Sequence, residues 1–127
     1  MTDEPMRIGV LAQRAGISID AIRYYERRGV LPRAARTESN YRLFPAEAVE
    51  RLTWARRLQE LGFTLDEIVD ALQAHDDGGA TCDSERWRLE TVRDRLDIKI
   101  RELTATRAHV DQLLDDCRQG RCALTTP

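Results

Sequence analysis

No stretch of this chain approaches the ~18 consecutive apolar residues of a membrane span, so a membrane partner is not expected. The opening Met-Thr-Asp-Glu-Pro also lacks the basic and apolar regions of a secretory signal, which makes the cytoplasm the expected location. Aromatic residues are scarce at 6%, and 33% charged residues leave little for a large private core, yet 42% hydrophobic content is too high for disorder. At 127 residues, the expectation is one globular domain with an appended element. No acid/base pair, phosphate-cradling glycine loop or nucleophile–histidine arrangement stands out, which argues against an enzyme. Net positive charge is missing as well, with 20 basic against 22 acidic residues, but the total conceals an uneven distribution. Residues 7–57 hold 11 Arg and only five acids (Asp20, Glu26, Glu38, Glu47 and Glu50), a balance of +6 that leaves −8 for the remainder. A basic front half suits a polyanion partner.

Cysteine is rare and odd in number: Cys82, Cys117 and Cys122. A closed set of intrachain disulfides would leave one over, so the open alternatives are unpaired thiols, metal ligands or links between subunits.

Ile8 to Ala15 reads as a short helix stopped by Gly16. A second helix starts from Ser18 as its cap, carries Asp20 in its first turn, sets Ile19 and Ile22 on one face and stops at Gly29. Two short helices around a glycine-containing turn suggest a helix-turn-helix, whose second helix can enter a DNA major groove. Pro32 breaks the helix, Arg33 to Asn40 is turn-rich, and Tyr41-Arg42-Leu43-Phe44 alternates like a strand, which together suggest a small wing. Pro45 at a first helical position opens a third helix, with Val49, Leu52, Ala55 and Leu58 inward and Gly62 at its end. Thr64-x-x-Glu67 is a capping box for a fourth helix whose apolar face is Leu65, Ile68, Val69 and Leu72, ended by the segment His75 to Gly79.

From Asp83 to about Cys117 there is neither Pro nor Gly. Heptad spacing sets Leu89, Val92, Leu96, Leu103, Val110, Leu113 and Cys117 along one seam, interrupted by Lys99 and Thr106. A lone helix of this length would leave the seam in water, so a partner copy is expected. Cys82 and Cys117 stand 35 positions apart, roughly 50 Å along a helix at ~1.5 Å per residue. One straight helix cannot bring them to one ion, whereas antiparallel pairing sets Cys82 of one copy beside Cys117 of the other. Cys122, past Gly120, can then fold back to the same point. Three thiolates favour soft ions such as Hg(II), Cd(II), Pb(II), Cu(I) and Zn(II), and the positive end of the helix favours an anion at Cys82. His75 and His109 are isolated; His75 is an outside candidate for a fourth ligand.

The segments Ile8 to Gly16, Ile22-Arg-Tyr-Tyr-Glu-Arg-Arg-Gly-Val-Leu-Pro32, Asn40-Tyr-Arg-Leu-Phe44 and Leu61-Gly-Phe-Thr-Leu-Asp-Glu-Ile68 together resemble the MerR family of bacterial transcription regulators. The likeness covers residues 7–72 in order and spacing, and the long helix matches in type rather than in letters. The fold it implies is mainly α: a winged helix-turn-helix head and a long C-terminal helix forming an antiparallel coiled-coil homodimer. The implied divisions are a DNA-binding domain over 1–74, a linker over 75–82, a dimerisation helix over 83–118 and a metal-binding loop and tail over 119–127. By the same resemblance, Ser18 to Arg28 is the recognition helix. Ser18, Arg23, Tyr24 and Tyr25 are then expected at double-stranded promoter DNA, and Tyr41 and Arg42 in the wing that grips the backbone. Arg and Tyr side chains suit that role, since both donate to phosphate oxygens.

Drug sensors of the family carry a large extra domain for which these residues leave no room, so the resemblance points to the metal sensors. Copper-type members lack the first cysteine, and Cys82, Cys117 and Cys122 look most like the mercury, cadmium and lead sensors. The final pair is closer together than in those groups, and Ala123 stands where a proline often follows. The implied effector is a divalent soft metal, Hg(II) first, with Cd(II), Pb(II) or Zn(II) as alternatives. The implied mechanism is repression without metal and activation with it, by distortion of promoter DNA so that RNA polymerase can use the promoter. Two rivals stand beside this: a redox or electrophile sensor using the same cysteines, and a metal-sequestering coiled-coil adaptor without DNA function.

Overall fold

The computed structural model describes residues 4–32 and 35–121. Its elements are β1 (Met6–Arg7), α1 (Ile8–Ala15), α2 (Ile19–Arg28), β2 (Ala35–Arg36), β3 (Arg42–Phe44), α3 (Glu47–Leu61), α4 (Leu65–Asp76) and α5 (Cys82–Arg118). The chain divides into two compact units between Glu85 and Arg86.

Helix boundaries in the first unit follow from local chemistry. Gly16 takes φ 69°, a left-handed conformation that a residue with a Cβ adopts at a cost, and its N–H closes α1 onto the Ala12 carbonyl. The Ser18 hydroxyl then accepts from the Ala21 N–H and starts α2. Gly62, at φ 106°, stops α3, and two residues later Thr64 and Glu67 form a reciprocal capping box that starts α4. The segment Leu61 to Ile68 is therefore a compact corner between two helices, with Phe63, Leu65 and Ile68 buried in it. Pro45 stands just ahead of α3 rather than inside it: Ala46 is the cap, and the Pro45 carbonyl accepts from the Ala48 N–H.

The wing is a three-stranded sheet in the order β1-β3-β2. Both pairings are antiparallel, Met6 lying opposite Phe44 and Ala35 opposite Leu43. The sequence predicts the β3 side of this sheet and misses β1, because a two-residue strand has no periodicity to read. Thr37 and Asn40 close the turn before β3: the Thr37 N–H donates to the Tyr41 carbonyl at 2.8 Å, and Asn40 takes φ 67°.

Leu11, Ile22, Phe44, Leu52 and Ile68 are fully buried, one from each of α1, α2, β3, α3 and α4. At about 1.5–3 kcal/mol for each such side chain, this shared cluster fixes the helices relative to one another. In α3 the buried positions are Ala48, Leu52 and Ala55, while Val49 and Leu58, expected inward, are half-buried. Arg51 adds polar ties, donating from Nε to the Val30 carbonyl at 3.0 Å and from Nη1 to Asp76 Oδ1 at 2.7 Å.

α5 is one helix of 37 residues. It begins at Cys82, one residue before the expected start, so the segment between α4 and α5 is shorter than the linker read from the sequence. Leu89, Leu96, Leu103, Val110 and Leu114 are exposed on it, and Val92 is buried. Among the described residues, no helix is long and apolar enough to cross a membrane.

Candidate nucleic-acid interface and effector residues

α2 presents different faces to core and solvent. Ile22 and Tyr25 are buried, while Arg23 and Tyr24 are exposed. Adjacent helical positions are about 100° apart, so Tyr24 and Tyr25 diverge. The Tyr25 ring packs inside the head and its hydroxyl donates to Gln59 Oε1 of α3 at 2.5 Å. This departs from the expectation that Tyr25 faces DNA: its geometry is that of a side chain anchoring α2 to α3. Tyr24 keeps 42% of its surface, with the guanidinium carbons of Arg27 and Arg28 at 5.9 and 5.6 Å from its ring centre. Arg23 lies 3.7 Å from Asp20, both well exposed, a loose pair that a phosphate can displace at small cost. Ser18, also exposed, uses one acceptor position for its cap and retains its hydroxyl proton.

The wing is tied to this helix. Arg42 Nη1 lies 3.1 Å from Glu26 Oε1, and the Glu26 side chain is only 15% exposed. Arg42, expected to grip DNA, thus also anchors β3 against α2. Tyr41 is exposed, and the Arg7 guanidinium covers its ring at 4.5 Å, which joins β1 to the wing. Sequence reading found Arg42 and Tyr41 but not these partners, since Glu26 and Arg7 carry no local signal of a distant pairing. At the far end of α2, Arg28 donates to both Tyr24 and Asp66. Its guanidinium is held above its ordinary range, first by the Asp66 hydrogen bond and then by Tyr24, with partial burial opposing.

The thiols mark the two ends of α5. Cys82 is its first residue, exposed, just inside a reciprocal cap that the sequence reading missed: the Thr81 N–H donates to Ser84 Oγ at 2.9 Å and the Ser84 N–H to Thr81 Oγ1 at 3.0 Å. Cys117 is exposed in the last turn. There the chain reverses: Gly120 takes φ 75°, the Arg121 N–H donates to the Asp116 carbonyl at 2.7 Å, and the Arg121 guanidinium returns to 3.4 Å from the Asp116 carboxylate. Cys122 lies outside the described residues. Among those described, no three His, Cys, Asp or Glu side chains converge so as to hold a metal ion. His75 instead lines a cleft of about 440 Å³ between α3 and α4, with Glu47, Glu50, Arg51, Trp54, Leu72 and Asp76, and neither thiol lines it. One chain's described donors therefore do not make a three-ligand centre, which fits a soft-metal site only if ligands come from elsewhere.

Residues 6–75 match the family described as MerR HTH family regulatory protein, and residues 49–113 match the one described as MerR, DNA binding. The chain is 37% identical over 116 residues to a mercuric resistance operon regulatory protein of Bacillus cereus, spanning 91% of this chain and 87% of that one. It resembles the crystal structure of the transcription regulator PbrR691 from Ralstonia metallidurans in complex with lead(II), with TM-score 0.79, 32% identity and 87% of each chain covered. It also resembles the mercury(II) complex of the dual function regulator MerR from Bacillus megaterium, with TM-score 0.66, 34% identity, and coverage of 87% of this chain and 85% of that one.

Proposed function

The chain belongs to the MerR HTH family of DNA-binding transcription regulators, and from that premise we propose that it is a metal-responsive homodimeric regulator of a heavy-metal resistance promoter. Its effector is Hg(II) first, with Cd(II), Pb(II) or Zn(II) as alternatives; relatives that answer to mercury and to lead both support a soft cation. The observation that carries the reading is a helix with an exposed leucine-rich face and an exposed thiol at each end.

Two copies paired antiparallel through that face would bring Cys82 of one subunit to Cys117 and Cys122 of the other, giving two equivalent sites per dimer. Metal bound there would supply thiolate bonds that bridge the subunits. Each head would set α2 in a major-groove half-site, with Arg23, Tyr24 and the Ser18 hydroxyl toward DNA and Tyr41 on the adjoining backbone. Tyr25 and Arg42 would hold that surface in shape. For metal to switch transcription, it must bind the DNA-distorting state of the dimer more tightly than the repressing state. Smooth bending of an operator costs on the order of 1–6 kcal/mol, so the difference in metal affinity needs to be of that size for RNA polymerase to gain access to the promoter. The expected compartment is the cytoplasm.

A titration of the reduced protein with Hg(II), Cd(II), Pb(II), Zn(II) and Cu(I), followed by thiolate charge-transfer absorbance in the ultraviolet, tests the site. The expected result is saturation at two ions per dimer and its loss in Cys82→Ser. Equal binding by Cys82→Ser, or a response of transcription to oxidant but not to metal, would remove the three-thiolate reading.

A further inference from the structure

Apolar packing is not all that holds the solvent face of α2. Arg28, its last residue, reaches in two directions: Nη1 donates to the Tyr24 hydroxyl oxygen at 2.7 Å, and Nη2 donates to Asp66 Oδ1 at 2.8 Å. Asp66 lies in the first turn of α4, 38 residues further along the chain, and its side chain is 89% exposed. A phenol has a single proton to donate. With its oxygen accepting from Arg28, Tyr24 must direct that proton elsewhere, and its exposed ring leaves solvent, or a phosphate oxygen, to receive it. The same carboxylate engages a guanidinium that would otherwise be one more exposed cation available to a polyanion beside Arg27 and Arg23. An exposed carboxylate next to a surface meant for a polyanion repels that partner, and Asp66 contributes nothing to the buried core. Its helix-start role is shared with the Thr64 and Glu67 cap.

We propose that Asp66 and Arg28 are positioning residues for DNA discrimination: Asp66 fixes Arg28, Arg28 aims the Tyr24 hydroxyl at one phosphate, and the Arg28 charge is withheld from indiscriminate backbone contact. The inference rests on the reading of α2 as the helix that meets DNA. A protein built this way gives up some affinity for any duplex and gains preference for the one whose backbone meets the fixed hydroxyl.

The test uses the full-length protein, a duplex enriched by the wild type from a random pool, and a scrambled duplex of the same composition. Affinities are measured across a range of salt. In Asp66→Asn, affinity for the selected duplex is expected to fall about 3–10-fold. On scrambled DNA, affinity should rise and the plot of log K against log salt should steepen by about 0.9, the signature of one added phosphate contact. Asp66→Glu should restore wild-type behaviour. Tyr24→Phe should weaken binding to the selected duplex in the wild type but add little in the Asp66→Asn background, because the two act in one chain of hydrogen bonds. A wild-type salt slope and wild-type selectivity in Asp66→Asn would overturn the proposal, as would fully additive losses in the double variant. Failure of the wild type to enrich any duplex would instead remove the DNA reading itself, and this inference with it. A purely structural role for Asp66 would lower the melting temperature without changing the salt slope.

Discussion

Leu11, Ile22, Phe44, Leu52 and Ile68 in the first unit have no solvent-accessible surface to speak of, while Leu89, Leu96, Leu103 and Val110 on α5 keep between 41% and 69% of theirs. Both sets are large and apolar, and the surroundings differ. In the head, five elements meet within about 75 residues and satisfy one another; on α5, a continuous helix offers a similar face with Val92 alone buried. The head thus has its own source of stability, and the helix must draw its stability from another molecule. The residues proposed to meet DNA stand on the self-sufficient region, while the thiols mark the ends of the dependent one. On the proposed reading, a regulator divided this way would keep its DNA-facing surface in shape whether or not the thiol-bearing helix is paired.

The contrast breaks most sharply at Leu103, 69% exposed in the isolated chain. Leu103→Asp is expected to weaken self-association at least 100-fold by sedimentation and to carry operator affinity down with it, while the thermal unfolding of the head stays within a few degrees of wild type. An unchanged dimer would mean that the exposed seam is not the interface. Next in size is Phe44→Ala, which should cost about 3–5 kcal/mol in urea unfolding because the fully buried ring leaves a cavity. Self-association of the surviving folded fraction should be retained, and a joint loss would show that the two regions are one cooperative unit. Thr64→Ala removes half of the capping box and should cost about 1 kcal/mol, felt throughout the head. The equivalent change at Thr81 should raise hydrogen exchange locally around Cys82 and leave the unfolding midpoint of the head nearly unmoved. The smallest effect belongs to Asn40→Gly: the position is already at φ 67°, so stability should stay within about 0.5 kcal/mol of wild type, and the control Asn40→Val, which the left-handed backbone does not suit, should cost about 1–2 kcal/mol.

Capping chemistry made much of this fold readable in advance. Ser18, Gly16, Gly62 and the Thr64–Glu67 pair act within three or four residues, so their letters suffice to set boundaries: Gly16 ends α1, Ser18 starts α2, Gly62 ends α3 and the Thr64–Glu67 box starts α4. Thr81 and Ser84 form a cap of the same class that the letters do not announce, because serine replaces the usual acidic partner. Long-range pairings were not legible. Glu26 with Arg42 and Arg28 with Asp66 join residues far apart in the chain, and any of the 20 basic residues had many possible acidic partners. Choosing between Tyr24 and Tyr25 needed the phase of α2 against α3, which depends on Gln59 and the core rather than on the two tyrosines. The proposed thiol cluster was legible only as arithmetic along one helix, and Cys122 lies outside the described residues.

The Glu26–Arg42 and Arg28–Asp66 pairs have a mechanical side. They tie the C-terminal part of α2 to the wing through Glu26 and to α4 through Arg28, while Tyr25 fastens its inner face to α3. A helix held at three points has little compliance. If the proposed switch works by changing the mutual angle of two heads, such a mounting would absorb less of the motion than a loosely held helix, and more of the strain would pass to the softer body, the duplex. Loosening any one fastening would turn a stiff lever into a spring, and the same stroke would then move the DNA less.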